Sequence, residues 1–472
     1  MQTEVKILTR ILAKRIIIAT QALINWNQIG FMRNRQIVDN IIRFLDIQEL
    51  STEMNTDAYA HLLDFEKAYD RVNWTYLQEC LQAANFGKKF CKWVQILYDR
   101  PQVFLIINGF LSKPLQPSRG VKQGDPLSCI LYNITIEPHL RLQQNNPRLG
   151  LAHIPSNPTA DAFTDDDVLY AKDMQSVHEQ LSLTKIYEAG SGAKLNLKKC
   201  ILIQLNQNTK QCPSSNLRQL NPNEVTKILG FPIGINIQDE TRIEIIDNIL
   251  TKQLTAWKYR AKTIQGRRHI IRAKILSKLW YMAFFIDIPK QKIQKWQNYV
   301  NNFIIHNKIS SQATPYTKLP NKWKYAPKSQ GGLQIPNIEL NLHSLRIRWL
   351  NKKTTQPSHQ CDRVFQNLQQ LINIKKPQWC STMDILFWII YHKYPFTKKT
   401  IPYASRLFIS AIQYFQLEPK HELPDSIKQH IPLWQSRHPN FKNVRKPSLT
   451  IIQCISLRTP KDIGNRTRAQ WK

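Results

Sequence analysis

The stretch Asp161-Ala162-Phe163-Thr164-Asp165-Asp166-Asp167-Val168-Leu169-Tyr170 sets three adjacent aspartates between two apolar runs. Neighbouring carboxylates repel, and when buried together they resist ionising. The flanking residues have to pack, so the aspartates belong at the tip of a tight strand–turn–strand, open to water or to a compensating positive charge. A second short apolar run, Leu62-Leu63-Asp64-Phe65, also ends in aspartate. Either feature alone is commonplace: an acidic turn is usually solvated, and Asp64 could cap the helix that follows it.

The rest of the chain is strongly basic. Lys and Arg number 66 against 33 Asp and Glu, a formal net charge of +33 spread along the whole length. A positive field of that extent suits a polyanion, nucleic acid being the commonest, and makes a merely soluble basic protein the weaker reading. The 472 residues, 42% hydrophobic and 10% aromatic, can bury sizeable cores in roughly two to four domains. The longest apolar runs, such as Leu279–Ile286, fall far short of the ~18 residues of a membrane span. The opening MQTEVKILTR mixes charged with apolar side chains and has no secretory pattern. The eight cysteines are scattered without a CxxC pair, which points to neither a zinc site nor a disulfide framework; reduced thiols in an intracellular protein are expected.

Val5–Ile18 is expected as an amphipathic helix, with Leu8, Ile11, Leu12 and Ile16 on one face and a solvated basic stripe of Lys6, Arg10 and Lys14 on another. His61–Phe65 reads as a short strand and Glu66–Leu81 as the helix after it. Val103–Ile107, the turn Asn108-Gly109 and Lys113–Gln116 read as a hairpin. A helix is expected over Pro126–Leu142 with Pro126 in its first turn. A strand–turn–strand from Asp161, a helix near Gln175–Ala189 and a strand pair around Lys194–Gln204 follow. This irregular alternation gives an α+β class rather than βαβ units. Thr241–Phe285 is helical and basic, and Pro289–Lys472 carries most of the tryptophans, many prolines and a Gln/Asn bias.

Hard divalent cations take oxygen ligands, chiefly carboxylates, and keep positions open for substrate phosphates. Two such ions held between carboxylates can activate an attacking hydroxyl and bear the charge of the leaving oxygens in phosphoryl transfer. Asp64 and the aspartate triplet together offer that chemistry. Between them, Arg119–Ser128 (RGVKQGDPLS) has Gly124, which lets backbone approach a nucleotide, and Gln123, whose amide can reach one. By itself this segment is equally a plain loop entering a helix.

In this order, LDFEKAYD, RGVKQGDPLS and AFTDDDVLY resemble the palm of reverse transcriptases, and more narrowly the LINE-type, non-LTR retrotransposon branch. Asn27–Asn40 (NQIGFMRNRQIVDN), Ser191–Cys200 (SGAKLNLKKC), Ile228–Gly234 (ILGFPIG) and Gly331–Pro336 (GGLQIP) match that branch too. The similarity covers about residues 5–350 and, more loosely, Ile431–Asn440. The resemblance implies an α+β right-hand polymerase. Partial fingers would occupy 1–60, a palm with an antiparallel sheet and finger insertions 61–235, and a helical, basic thumb and connection 236–350. A mainly helical C-terminal region of unknown role would fill 351–472. It implies an RNA-directed DNA polymerase using two Mg²⁺ ions, with Mn²⁺ as a possible substitute, acting on an RNA template, a DNA primer and dNTPs, without a membrane. Nuclear action at the site of integration is implied by the resemblance alone.

Site residues carry over by position. Asp64, Asp165 and Asp166 would be the catalytic carboxylates, and Asp64, Asp165 and the backbone carbonyl of Phe65 the metal ligands. Tyr69 would lie under the incoming sugar and leave no room for a 2′-hydroxyl; as a residue it is equally a core tyrosine. Gln123, Gly124 and Pro126 would line the nucleotide and template. Lys194 or Lys199 would protonate the departing pyrophosphate, and these two alternatives stay open. Arg267, Arg268, Arg272 and Lys274 would contact the nucleic-acid backbone, or else lie on a packed helix whose cations face water.

The match has departures. Thr164 stands where the family usually has Ala, and Asp167 where it has an aliphatic residue. The third aspartate is thus outside the family pattern, and Asp167→Val is expected to preserve or improve activity. An Arg-containing fingers segment, an endonuclease domain and a Cys/His knuckle, all expected from the resemblance, have no counterpart in the sequence. The expectation is therefore the polymerase-and-tail portion of a longer element. The alternative function is a catalytically inactive truncated remnant that only binds nucleic acid, and metal-dependent primer extension separates the two.

Overall fold

A strand of alternating side chains buried on both faces needs partners along both edges, and Tyr59–Leu63 (β1) has them. The computed structural model describes residues 3–154, 157–209, 217–235, 237–312, 320–355 and 403–415. Most of 351–472, including the Ile431–Asn440 match, lies outside the described residues. The chain divides into two compact units, one of them Met1–Gln238 and the other beginning at Asp239.

In the first unit, helices α1 (Thr3–Leu23) and α2 (Ile37–Met54) precede β1. Helices α3 (Ala68–Arg71), α4 (Trp74–Ala83) and α5 (Lys88–Leu97), the hairpin β2 (Ile106–Ile107) to β3 (Phe110–Leu111), and α6 (Ser128–Gln144) follow. Next come β4 (Ala160–Phe163), β5 (Asp166–Ala171), α7 (Met174–Ser191), β6 (Ile201–Gln204) and β7 (Arg218–Gln219), then the hairpin β8 (Thr226–Ile228) to β9 (Phe231–Ile233). The main sheet runs β4-β5-β1-β6-β7. Every pair in it is antiparallel except β6–β7.

Period-two alternation divides this sheet into two faces. Tyr59, His61 and Leu63 of β1 share a face with Asp167, Leu169 and Ala171 of β5, because Leu63 pairs with Asp167 and His61 with Leu169. Helices α6 and α7 cover that face: His61 Nε2 bonds Gln180 Oε1 of α7 at 2.9 Å. Ala60, Leu62, Val168 and Tyr170 point to the opposite face, where the Phe44 ring of α2 meets Tyr170 at 6.5 Å. The Asp161 carboxylate on that face pairs with Arg43 and accepts from Tyr170 Oη at 3.0 Å. The core joins the helix-covered face to α1, α4 and α5 through Leu12, Ile16, Leu77, Leu81, Val94, Leu131 and Leu169.

The structure corrects several sequence expectations. The single helix over Glu66–Leu81 is two, because Val72 leaves helical backbone and Asn73 caps a new helix, its Oδ1 accepting from Thr75 N at 2.8 Å. The helix expected from Pro126 starts at Ser128, with Asp125 Oδ1 accepting from Leu127 N–H at 3.0 Å just ahead of it. Lys194–Gln204 supplies one strand rather than a pair: only β6 is a strand, while Leu195 forms an isolated bridge to Phe65. On α1, Leu12 and Ile16 are buried but Ile11 is exposed, so the apolar face is narrower than the spacing indicated.

The second unit is helical. It comprises α8 (Asp239–Trp257), α9 (Ile264–Ile270), a π-helical turn over Ile271–Ile275, α10 (Leu276–Ala283), α11 (Lys290–His306), α12 (Asn321–Tyr325), α13 (Ile338–Thr355) and a last described helix, Tyr403–Phe415. Trp296, Phe285, Phe303 and Phe408 are its large buried side chains. No helix among the described residues is long and apolar enough to cross a membrane.

Candidate active site

The β4–β5 turn is a two-residue reversal, with Phe163 paired to Asp166 and Thr164-Asp165 at the tip. Thr164 has φ +60°, at the turn position where hairpins of this length favour glycine. A β-branched residue in the left-handed region is strained, so the surroundings must hold it. Gln28 does so from both sides of the peptide. Its Oε1 accepts from Thr164 N–H at 2.8 Å and from Gly30 N–H at 2.9 Å, while its Nε2 donates to Thr164 O at 3.2 Å. Gly30 lies against the turn with no room for a side chain: a Cβ there would come within 2.5 Å of Thr164 Cγ2. Thr164 Oγ1 in turn donates to Asp165 Oδ1 at 2.8 Å.

Antiparallel pairing then gathers the carboxylates. With Leu63 opposite Asp167, continuing the register by one residue sets Asp64 opposite Asp166, on the face turned away from α6 and α7. Asp165 sits beside them at the tip. Burial, followed by the Asp165 and Asp64 charges, pushes the Asp166 carboxyl up to about 6. Asp64 O accepts from Asn196 N–H at 2.8 Å, and Glu66 N–H donates to Lys194 O at 2.8 Å, so 194–196 lies along the 64–66 backbone. That alignment brings Lys199 Nζ to 3.6 Å from Asp64 Oδ2 and Lys194 Nζ to 3.4 Å from Glu66 Oε2. Phe65 forms the bridge to Leu195, and its buried ring packs edge-on against His139 and Tyr187.

Asp167, the third aspartate, points the other way. It is 1% exposed on the helix-covered face, and neither carboxylate oxygen has a hydrogen-bond partner. His139 Nε2 of α6 lies 3.8 Å away, too far for a hydrogen bond. Burial, then the Asp165 and Asp166 charges, lifts the Asp167 carboxyl well above the usual carboxylate range. Burial likewise drives His139 down to about 3, so its imidazole is neutral near pH 7. Asp167 is therefore no part of the carboxylate cluster.

Tyr69 stacks on Tyr132 with ring centroids 4.6 Å apart and 13° between planes. Burial, then the neighbouring Cys129 thiol, raises its hydroxyl well above the ordinary tyrosine range. Gln123 Nε2 donates to Asp70 Oδ1 at 3.0 Å. Gly124 takes φ +80° with open space where a Cβ would sit, and Pro126 is half-buried ahead of α6. Between β8 and β9, Leu229 and Gly230 both have positive φ, which makes a tight hairpin. A small cavity between that hairpin and the sheet is lined by Phe44, Leu62, Asp166, Val168, Lys227 and Leu229.

Among the described residues, no group of three or more His, Cys, Asp or Glu could by itself hold a metal ion. Two acceptor-only carboxylates with open positions nevertheless fit an ion such as Mg²⁺, which binds through one or two carboxylates plus phosphate oxygens. Burial and then the Asp165 and Asp64 charges raise Asp166, and the Lys199 cation lies beside Asp64, so the cluster is one that positive charge stabilises.

In the second unit, no Asp or Glu occurs between Asp247 and Asp287 while nine Lys and Arg do. Arg267, expected at a phosphate, is a correction. It is 6% exposed and donates through Nε to Ile304 O at 2.8 Å and through Nη1 to Lys262 O at 2.6 Å, tying a helix to its neighbour. Arg268 is half-buried and donates to Leu333 O at 3.3 Å and Gln334 Oε1 at 3.2 Å. Arg272 and Lys274 are exposed. Residues missed by the motif reading are Gln28 and Gly30 under the turn, and Asp70 beside Gln123. The available signals were the glutamine and glycine of Asn27–Asn40 and the closing aspartate of LDFEKAYD.

Residues 1–233 match the family model described as reverse transcriptase (RNA-dependent DNA polymerase). The chain is similar to the Xenopus laevis "Transposon TX1 uncharacterized 149 kDa protein", 26% identical over 393 residues, or 81% of this chain and 28% of that one. It is also similar to the Drosophila melanogaster "Retrovirus-related Pol polyprotein from type-2 retrotransposable element R2DM", 27% identical over 360 residues, or 74% of this chain and 33% of that one. The chain thus spans about a third or less of these relatives' length. Among solved structures, apo telomerase from Candida tropicalis is 12% identical, covering 75% of this chain and 60% of that one, with a TM-score of 0.37.

Proposed function

Because residues 1–233 make this chain a member of the reverse transcriptase family, of the LINE-type, non-LTR branch, we propose that it is an RNA-directed DNA polymerase. It would transfer nucleotides from dNTPs to the 3′-hydroxyl of a DNA primer on an RNA template. One observation carries the proposal: the β1–β5 register ends with Leu63 opposite Asp167, which brings Asp64 to the Asp165–Asp166 turn, where burial and then the Asp165 and Asp64 charges raise the Asp166 carboxyl.

Reverse transcriptases use divalent metal ions, here taken as two Mg²⁺ with Mn²⁺ as a substitute. Asp64 and Asp165, with the Phe65 carbonyl, would hold them. When bound, such ions activate the primer hydroxyl and bear charge on the departing pyrophosphate. The protein's own part is position and charge, with no covalent intermediate. Gln28 keeps the Asp165 turn in its strained form. Tyr69, braced by Tyr132, would lie under the sugar and exclude a 2′-hydroxyl. Gln123, Gly124 and Pro126 would line the nucleotide. Either Lys199, beside Asp64, or Lys194, beside Glu66, would deliver a proton to pyrophosphate; the direct contact with Asp64 favours Lys199. Arg272 and Lys274, with Arg268 in part, would meet backbone phosphates, while the RNA–DNA duplex is read by shape. Action in the nucleus at the site of integration belongs to the same proposal.

Primer extension on an RNA template with Mg²⁺ and dNTPs tests it, with an Asp64→Asn, Asp165→Asn double variant alongside. Extension lost in the variant supports the polymerase. A folded, template-binding chain that extends nothing would leave only the non-catalytic binder.

A further inference from the structure

We infer that Asp70 is a positioning residue, its carboxylate fixing the amide of Gln123; this rests on the proposed reading of Gln123 as lining the nucleotide. Backbone pairing brings the two segments together. Gly120 N–H donates to Val72 O at 2.8 Å, Val121 N–H to Tyr69 O at 2.8 Å, and Trp74 Nε1–H to Gly120 O at 2.8 Å. Gly120 has φ +95°, and a Cβ there would lie 2.7 Å from Asp70 O and 2.9 Å from Asp70 Cα. Only glycine lets these two pieces of backbone approach so closely. Three residues on, Gln123 Nε2 donates to Asp70 Oδ1 at 3.0 Å.

An ionised carboxylate only accepts hydrogen bonds, whereas an amide donates at one end and accepts at the other. Asp70 therefore admits one of the two amide orientations, with the NH₂ toward itself. Gln123 is left with Oε1 and one N–H for whatever occupies the site. Without Asp70 the two orientations compete, and ligand binding has to select one of them. The Val121–Tyr69 bond belongs to the same latch, so the Tyr69 ring and the Gln123 amide are held in a common register.

Single-nucleotide incorporation by the full chain on an RNA template is the first readout. Asp70→Ala is expected to raise the dNTP KM about three- to tenfold with kcat within about twofold, as for one charge-assisted hydrogen bond at an exposed position. Asp70→Asn keeps a hydrogen bond but admits both amide orientations, so it recovers only part of the loss. Added to Gln123→Ala, Asp70→Ala changes KM no further. An unaffected Asp70→Ala enzyme, or losses that simply add, overturn the inference. Hydrogen–deuterium exchange over residues 119–124 reads the same contact without catalysis. Exchange is faster in Asp70→Ala but not in Asp70→Asn, and equal exchange in all three proteins overturns the idea. If Asp70→Ala does not fold, Gln123→Ala removes the same bond from the other side and must give the same faster exchange. A wild-type chain that extends no primer defeats the polymerase reading alone, and exchange then decides the role of Asp70.

Discussion

Replacing Asp167 with valine should stabilise the first unit. The carboxyl is 1% exposed with both oxygens unpartnered, and His139 at 3.8 Å makes no bond that the substitution would break. Burying a polar group without a partner costs about 1–3 kcal/mol by mutational measure. Valine removes that cost and adds buried apolar surface against Leu63 and Ala162, its cross-strand neighbours. A gain of about 1–3 kcal/mol follows. In a unit of this size each kcal/mol moves the midpoint by ~2–4 °C, so calorimetry should show a rise of about 2–12 °C at pH 7.5.

The pH dependence of that gain carries a definite sign. The folded carboxyl titrates above its unfolded counterpart, so its penalty is absent below the unfolded value of about 3.9 and grows as pH rises through the folded value. The advantage of valine must therefore shrink on going from pH 7.5 to pH 5. His139, held neutral by burial, weakens the fold below about pH 6.5 in both proteins and cancels from the comparison. Asp167→Asn separates the parts: it removes the pH-dependent share and keeps the unpartnered polar atoms. A valine variant less stable than wild type, or an advantage that widens in acid, would refute the reasoning. Primer extension by the variant should equal or exceed wild type.

Four further outcomes are expected. Tyr69→Ala opens the space beside Tyr132 and should lower discrimination against ribonucleotides by ~10- to 200-fold, the range for one filled or emptied contact, read from competing dNTP and rNTP incorporation. Gln28→Ala strips three hydrogen bonds from the Thr164 turn and its support. It should cost about 2–4 kcal/mol in denaturant unfolding and at least about tenfold in kcat. Arg267→Ala should destabilise the second unit by about 3 kcal/mol, through the carbonyls it leaves bare, with an unchanged salt slope for RNA binding. Arg272→Ala should do the reverse, lowering that slope by about 1 with stability intact.

The sequence already held more of this than the motif blocks used. Strand alternation assigns Asp166 and Asp167 to opposite faces, so a buried third aspartate follows from the same period that makes β5 a strand. Read as a local acidic run, the triplet hid that division. Arg267 lies four residues before Ile271 and eight before Ile275, both buried, so its place on the packed stripe was also legible in the spacing. Other features needed the fold. Asp64 meets Asp166 through a pairing of strands about a hundred residues apart in sequence, which no window reveals. Gln28 acts through bonds to a peptide 136 residues away. The break at Val72 depends on Gly120 drawing that carbonyl into another bond.

Gly120 has a genetic corollary. Every one-base change from a glycine codon that alters the residue introduces a Cβ, and the space for it is taken by Asp70 backbone. The position therefore has no tolerated neighbour in codon space. Repair of a lesion there must come by reversion or by rebuilding the Tyr69–Val72 segment opposite.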